Sequence, residues 1–87
     1  KNSRKAAKRR TKILVQTPPW LTKEQREEII NLYQAAAART LHTNTQHEVD
    51  HIVPLRGENV SGLHVPWNLQ ILTKQENRQK SNKFKAL

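Results

Sequence analysis

The chain of 87 residues contains no cysteine, only two glycines and only four large aromatic side chains. The absence of cysteine excludes disulfide bonds and every zinc ribbon or knuckle that depends on thiolate ligands. No run of about 18 apolar residues and no apolar signal region occurs, so we expect a soluble protein with the cytoplasm as its default compartment. A chain this short buries only about 60% of its unfolded surface, which predicts one domain with a small core.

The chain carries many more positive than negative side chains. Lys and Arg number 16 against 7 Asp and Glu, which gives a formal net charge of +9 and favours a polyanionic partner such as nucleic acid. Seven of the cations lie in residues 1–12, where like-charge repulsion and low apolarity predict disorder in free solution, whereas a helix can form against a phosphate backbone. The alternative is a solvated tail that binds nothing. We therefore divide the chain into a basic arm, residues 1–16, and a folded domain, residues 17–87.

A scaffold helix is predicted to follow the arm. Pro18-Pro19 cannot donate backbone hydrogen bonds and so forbids a continuing helix. We expect Trp20 and Leu21 to cap the core, and a capping-box pattern at Thr22 predicts a helix from there to about Thr40. Spacings of three and four predict an apolar face made of Ile29, Ile30, Tyr33, Ala36 and Ala37.

The rest of the chain predicts the order strand, loop, strand, helix. Residues 47–53, HEVDHIV, are rich in β-branched side chains and are typical of a strand. The segment 55–66 contains both glycines and is predicted to be a loop, after which residues 68–72 resume as a short strand. A second capping box at Thr73 predicts a helix over about 74–82. Together these elements predict an α+β domain.

Asp50 and His51 are adjacent residues whose side chains are suited to catalysis. The carboxylate suits a hard divalent cation, and the imidazole can take a proton from water near neutral pH. Neighbours in an undistorted strand point to opposite faces, so the strand must end, bulge or bend for both to serve one site. Asn77 can add a neutral oxygen ligand from the last helix. Such a ligand set suits Mg²⁺ or Mn²⁺ better than a closed zinc cage, and we interpret the group as a metal-dependent nuclease site.

The phrases DHIVPL, GLHVPWNLQIL and ENRQKSN, in that order, resemble the His-Asn-His (HNH) endonuclease family, particularly its small phage and bacterial members. The resemblance covers about residues 17–84. It implies a ββα-metal finger, also called a His-Me finger, over about residues 46–84 and without structural zinc. Since the chain begins at Lys1 rather than at a methionine, we expect a fragment or a processed product, with room for a missing partner domain.

The resemblance also assigns roles to single residues. His51 falls on the general base and Asp50 on the metal-binding aspartate that precedes it. Asn68 falls on the central asparagine, whose side chain pins the loop and so orients the base. Asn77 stands where many members have histidine, a departure with precedent in the RNA-guided CRISPR nuclease. This departure favours magnesium or manganese over zinc.

The mechanism implied by the resemblance is one-metal hydrolysis of DNA, expected to be double-stranded. His51 would deprotonate a water that attacks the phosphorus, leaving 5′-phosphate and 3′-hydroxyl ends. A double-strand break needs two active sites, from a dimer or a partner domain, or two visits. A phage member would act in the cytoplasm of its bacterial host. Phosphate contacts are predicted for cations of the last helix, the loop and the arm: Arg78, Lys80, Arg56, Lys5, Lys8, Arg9 and Arg10.

Several residues have structural alternatives. His47 shares a strand face with His51 and can assist the metal or a phosphate, but a hydrogen bond to the preceding loop is favoured. His64 is assigned to bracing the loop, or to a phosphate contact. Trp67 is assigned to the core rather than to base stacking. For the whole chain, the alternatives are a non-catalytic DNA-binding module that keeps the fold and an RNA-directed or toxin nuclease domain.

Overall fold

The computed structural model describes residues 3–55 and 62–80, with side chains from residue 7 onward. Within those ranges it is a small α+β domain with three helices and a two-stranded antiparallel sheet. No helix in them is both long and apolar enough to span a bilayer. The elements in chain order are α1 (Ser3–Gln16), α2 (Lys23–Thr43), β1 (His47–His51), a 3-10 turn (Pro66–Asn68), β2 (Leu69–Thr73) and α3 (Lys74–Lys80).

The arm is helical, so the predicted disorder of residues 1–12 is wrong for the part described. Ala, Lys and Arg have high helix propensity, and no glycine or proline interrupts the chain before Pro18. The C-terminal end of α1 is also tied to the domain. The Gln16 carbonyl accepts a hydrogen bond from the His64 N–H at 3.0 Å, and the Gln16 side chain donates to the Gly62 carbonyl at 2.6 Å. α1 ends before Pro18-Pro19, as predicted.

α2 begins with the predicted capping box. The Thr22 hydroxyl accepts from the Gln25 N–H at 3.0 Å, and the Gln25 side chain accepts from the Thr22 N–H at 2.9 Å. The helix ends at Thr43 rather than near Thr40, because Asn44 is the first residue with the left-handed conformation that terminates a helix.

The buried stripe of α2 is narrower than predicted. Ile29 and Ala36 are buried and Leu32 packs against them, whereas Ile30, Tyr33 and Ala37 are exposed. A sheet of two short strands covers one side of a helix only, and successive helical positions are rotated by about 100°. Residues one position beyond the stripe therefore face solvent.

The sheet places the end of β1 beside the start of β2. His47 lies opposite Thr73 and His51 opposite Leu69. β1 stops at residue 51 instead of 53 because the chain bends there, and β2 starts one residue later than predicted because the 3-10 turn takes residue 68. Val49 and Leu69 pack in the core with the buried stripe of α2.

α3 follows β2 without a loop. The predicted capping box is present: the Thr73 N–H donates to the Glu76 carboxylate at 2.9 Å, and the Glu76 N–H donates to the Thr73 hydroxyl at 3.1 Å. α3 is described as far as Lys80, and its predicted end near Asn82 lies outside the described residues. This direct connection holds α3 close to β1.

The two tryptophans lie at the surface. Trp20 is 60% and Trp67 58% exposed, so the expectation that Trp20 caps the core and the assignment of Trp67 to it are both wrong, although Leu21 is buried as predicted. The two indoles stack on each other, with ring centroids 6.0 Å apart and an interplanar angle of 16°. An indole needs a large buried area, and a core built on two five-residue strands offers little. Aliphatic side chains fill it instead.

Candidate active site

A cleft of about 1010 Å³ opens between α1 on one side and β1 with α3 on the other. Asp50, His51 and Asn77, predicted to act together, all line it. β1 ends at His51, which satisfies the requirement that the strand end or bend for both neighbours to reach one site.

His51 is held by a second histidine. Its Nε2 lies 2.9 Å from Nδ1 of His64, and the side chains are almost completely buried, with residue exposures of 5% and 7%. The predicted role of His64 as a loop brace is therefore incomplete. Its backbone N–H does bind the loop to α1, but its ring contacts the candidate base. Residue spacing alone carried no signal for this pairing.

Both imidazoles are neutral at pH 7. Burial is the main cause that lowers the pKa of His51 to about 4; repulsion from a proton on His64, once that ring is protonated, and from the charge of Arg9 adds to it, while Asp50 opposes the shift. Burial, followed by Arg9, also lowers the pKa of His64. Two neutral rings are compatible with a hydrogen bond in which one donates and the other accepts.

The paired histidines should make folding sensitive to acid. The unfolded state takes up a proton near pH 6.5, whereas folded His51 does so near pH 4, so the free energy of unfolding should fall as the pH drops from 6.5 to 4. We expect the double variant His51→Phe/His64→Phe to lose less stability over this range, by on the order of 2 kcal/mol after allowance for solvent screening. Urea unfolding at several pH values measures it. Exposed His42→Phe is the control, and equal pH dependence in the double variant would contradict the assignment.

Asn68 clamps the start of the loop. Its amide oxygen accepts from the Val53 N–H at 2.8 Å, and its amide nitrogen donates to the carbonyls of Val53 at 3.0 Å and Leu63 at 2.8 Å. The residue is buried. The clamp fixes the chain two residues after His51, as the resemblance implied for this position.

Gly62 is required where the loop backbone meets this clamp. An added Cβ would overlap the Val53 carbonyl oxygen and lie 2.8 Å from the Asn68 amide nitrogen. The Gly62 N–H donates to the Pro54 carbonyl at 2.7 Å, so the backbone cannot move away freely. Gly62→Ala should therefore lower the free energy of unfolding by about 2 to 3 kcal/mol, measured by urea denaturation. Exposed Leu63→Ala is the control, and a loss below about 0.5 kcal/mol would show that the loop can shift.

Asp50 lies on the strand face that α3 covers. One carboxylate oxygen forms an ion pair with the Lys80 ammonium at 3.2 Å and accepts from the side chain of Gln70, its partner on β2, at 3.0 Å. Lys80 also donates to the His51 carbonyl at 3.0 Å. Lys80, predicted as a phosphate contact, thus contacts both predicted catalytic neighbours within the protein.

Asn77 contacts β1 through Glu48, a residue that the sequence analysis did not assign to the site. Its amide nitrogen donates to the Glu48 carboxylate at 2.8 Å. Glu48 lies two residues before Asp50, on the same strand face, and it also lines the cleft. The period of two along β1 was the available signal, because it groups Glu48 with Asp50 as soon as the strand is recognised.

The cleft is lined by cations on both sides. Of the predicted phosphate contacts, Lys8, Arg9, Arg78 and Lys80 line it and Arg10 does not, whereas Arg56 and the side chain of Lys5 lie outside the described residues. Two lining cations were missed, Lys12 and Lys74. Lys12 follows Lys8 by four residues, the spacing that places both on one helix face.

His47 does not line the cleft beside His51. Its Nδ1 lies 2.7 Å from the Thr45 carbonyl and its backbone N–H donates to the Thr40 hydroxyl at 2.8 Å. It lines a second, smaller cleft on the α2 side of β1, which shares Glu48 and Asn77 with the first. The favoured interpretation, a hydrogen bond to the preceding loop, describes it correctly.

The donor set fits a hard cation in its chemistry. Glu48, Asp50 and Asn77 present oxygen atoms, which Mg²⁺ and Mn²⁺ prefer. Across residues 3–55 and 62–80, no three His, Cys, Asp or Glu side chains are grouped as metal ligands, so a cation here would use two carboxylates, an amide and oxygens from water or phosphate. Comparison of the chain with protein-family models, with curated proteins and with solved structures finds no match.

Proposed function

We propose that this chain is a metal-dependent DNA endonuclease of the HNH type, which hydrolyses phosphodiester bonds to 5′-phosphate and 3′-hydroxyl ends. The observation that supports it most strongly is that Asp50, His51 and Asn77 line a single cleft whose two walls carry cations. A base, oxygen ligands and positive charge are the components that phosphodiester hydrolysis requires.

Each residue has a role in this proposal. His51, neutral at pH 7, accepts a proton from the attacking water. Asp50 and Asn77 would hold a divalent cation, and Glu48 orients Asn77 through its hydrogen bond. The cation supplies Lewis-acid stabilisation of charge on the phosphate when bound. Asn68 keeps the chain after His51 in place through the loop clamp.

The cations explain how a polyanion is drawn to the cleft. Lys8, Arg9 and Lys12 of α1 face Lys74 and Arg78 of α3 across it. Phosphate contacts from Lys and Arg position a nucleic acid backbone without reading its sequence. A strand lying between the two walls places its phosphates beside Asp50 and His51.

The proposal is tested with supercoiled plasmid. Purified protein is incubated with Mg²⁺, with Mn²⁺ and with chelator, and nicked, linear and closed forms are separated on a gel. We expect nicking with either metal and none with chelator. Labelled RNA in the same assay tests an RNA-directed enzyme, and cleavage of RNA alone would overturn the assignment of DNA as substrate.

The contribution of α1 to DNA binding can be tested separately, through the salt dependence of the binding constant. Lys8→Ala and Lys12→Ala should each reduce the slope of log binding constant against log salt concentration by about 0.9, the value for one lost phosphate contact. Arg10→Ala removes the same charge from the same helix but outside the cleft lining, and should reduce it less. Binding of a labelled duplex at several salt concentrations gives the slopes. Equal slopes for all three variants and the unaltered protein would remove α1 from the binding surface.

A second candidate is a DNA-binding module without turnover. The observation in its favour is that both proposed ligands are already engaged within the protein, Asp50 by Lys80 and Asn77 by Glu48. A cation binding Asp50 must displace or share the Lys80 contact. Salt-dependent DNA binding without cleavage under any divalent metal would establish this candidate.

A further inference from the structure

The contact between the two buried histidines determines which nitrogen of His51 is available. A neutral imidazole has one N–H and one lone pair, on different nitrogens. Nε2 of His51 is engaged with Nδ1 of His64 at 2.9 Å. Since His51 also lines the cleft, Nδ1 is the ring nitrogen left to meet a water there.

We propose that His64 is a positioning residue, which holds His51 as the tautomer with its proton on Nε2 and leaves the Nδ1 lone pair for the cleft. The pairing at 2.9 Å fixes which two nitrogens share the proton, and the choice between its two directions rests on the proposed function, because only one direction leaves His51 a lone pair for the cleft. In this arrangement the Nε2–H of His51 donates to Nδ1 of His64, and His64 carries its own proton on Nε2.

The opposite arrangement would disable His51. If Nδ1 of His64 were the donor, the lone pair of His51 would be on Nε2, and its Nδ1 would carry the proton. No ring nitrogen would then remain to accept a proton from water. The hydrogen bond thus has two possible directions, and only one of them is compatible with a base.

His64 is itself held rigidly enough for this role. Its backbone N–H is bound by the Gln16 carbonyl at the end of α1, and the next residue, Val65, is completely buried. The Tyr33 ring lies beside the imidazole, with centroids 6.3 Å apart. A buried partner anchored through its backbone in this way can set the orientation and tautomer of the neighbouring ring, as partners of metal-bound histidines do.

The tautomer is measured directly on the full chain by nitrogen NMR at pH 7. Long-range proton–nitrogen correlation of uniformly labelled protein distinguishes a protonated ring nitrogen from one with a lone pair. We expect the lone pair of both rings on Nδ1 and the proton on Nε2. A proton on Nδ1 of His51 would overturn the proposal, whatever the enzymatic activity.

Two substitutions of His64 test the catalytic consequence. His64→Asn places an amide oxygen near the position of Nδ1 and keeps the acceptor, whereas His64→Phe keeps a ring and removes it. We expect His64→Phe to lower kcat for plasmid nicking by about 10- to 100-fold with KM nearly unchanged, and His64→Asn to recover most of the loss. Equal kcat for the two variants would overturn the proposal.

The proposed function and the positioning role of His64 are contradicted by different results. If the unaltered chain cleaves nothing under any metal, the proposed function is wrong, and the NMR measurement still decides the tautomer. If the chain cleaves DNA and the His64 variants match it, the positioning role alone is wrong. Should His64→Phe not fold, as thermal unfolding would reveal, the tautomer in the unaltered protein and the kcat of His64→Asn keep the proposal falsifiable.

Discussion

Replacing His51 with alanine should lower the rate of metal-dependent plasmid nicking by about 10²- to 10⁴-fold, the usual contribution of a general base. His51 lines the cleft, is neutral at pH 7 and is held by the His64 ring at 2.9 Å. DNA binding should persist, because the cations on the walls of the cleft are unchanged. Initial nicking rates and duplex binding, measured on the same preparation, separate the two effects.

His47→Ala is the matched control for this variant. His47 lies on the same strand and by alternation on the same face, but its ring is bonded to the Thr45 carbonyl and does not line the cleft. We expect its nicking rate to stay within about threefold of the unaltered protein. Equal losses in the two variants would point to damage of β1, and full activity of His51→Ala would show that the base lies elsewhere.

Replacing Asp50 with asparagine should reduce nicking by about 100-fold or more at a fixed Mg²⁺ concentration, and should raise the concentration needed for half-maximal activity. The substitution removes the negative charge that would bind the cation while an amide oxygen can still accept from Gln70. It also releases Lys80. The pair is mostly buried, with side-chain exposures of 21% for Lys80 and 12% for Asp50, so its loss should cost more than the about 1 kcal/mol of a surface pair, and thermal unfolding of the variant must show a folded protein before the loss is assigned to the site. Nicking rates across a Mg²⁺ titration measure both effects.

Glu48→Gln provides the comparison for Asp50→Asn. It removes a carboxylate from the same strand face but leaves an oxygen that can accept from Asn77. We expect a smaller loss of activity than in Asp50→Asn and a smaller change in metal requirement. A metal requirement that is unchanged in Asp50→Asn would show that another residue holds the cation. A larger effect in Glu48→Gln would identify Glu48 as the principal ligand.

Local sequence patterns predicted the helices and strands of the domain well. The capping boxes at Thr22 and Thr73 mark helix starts because the bonds that satisfy the first turn involve residues three apart. The C-terminal ends of the helices were less predictable. α2 runs on to Thr43 because the residue that stops it, Asn44, does so through its backbone conformation. A sheet of two strands also leaves more of α2 exposed than helical periodicity implies.

Non-local contacts explain the predictions that failed. α1 is attached through Gln16 to residues about fifty positions later in the chain, a contact that composition cannot reveal. The two tryptophans are far apart in sequence and stack only because the domain brings them together at its surface. Highly charged segments tend to be disordered and indoles tend to be buried. In each of these two cases a contact with a specific partner outweighed the general tendency.

The sequence by itself determined the strand, loop, strand and helix order, the capped helix starts and the group of chemically capable residues around Asp50 and His51. These depend on neighbours within a few positions, where propensity and hydrogen bonding act directly. Only the tertiary structure decided that Glu48 holds Asn77, that Lys80 pairs with Asp50 and that His64 bonds to His51. Those contacts join residues 13 to 30 positions apart, and they exist because packing of the small core brings α3 and the segment around His64 against β1.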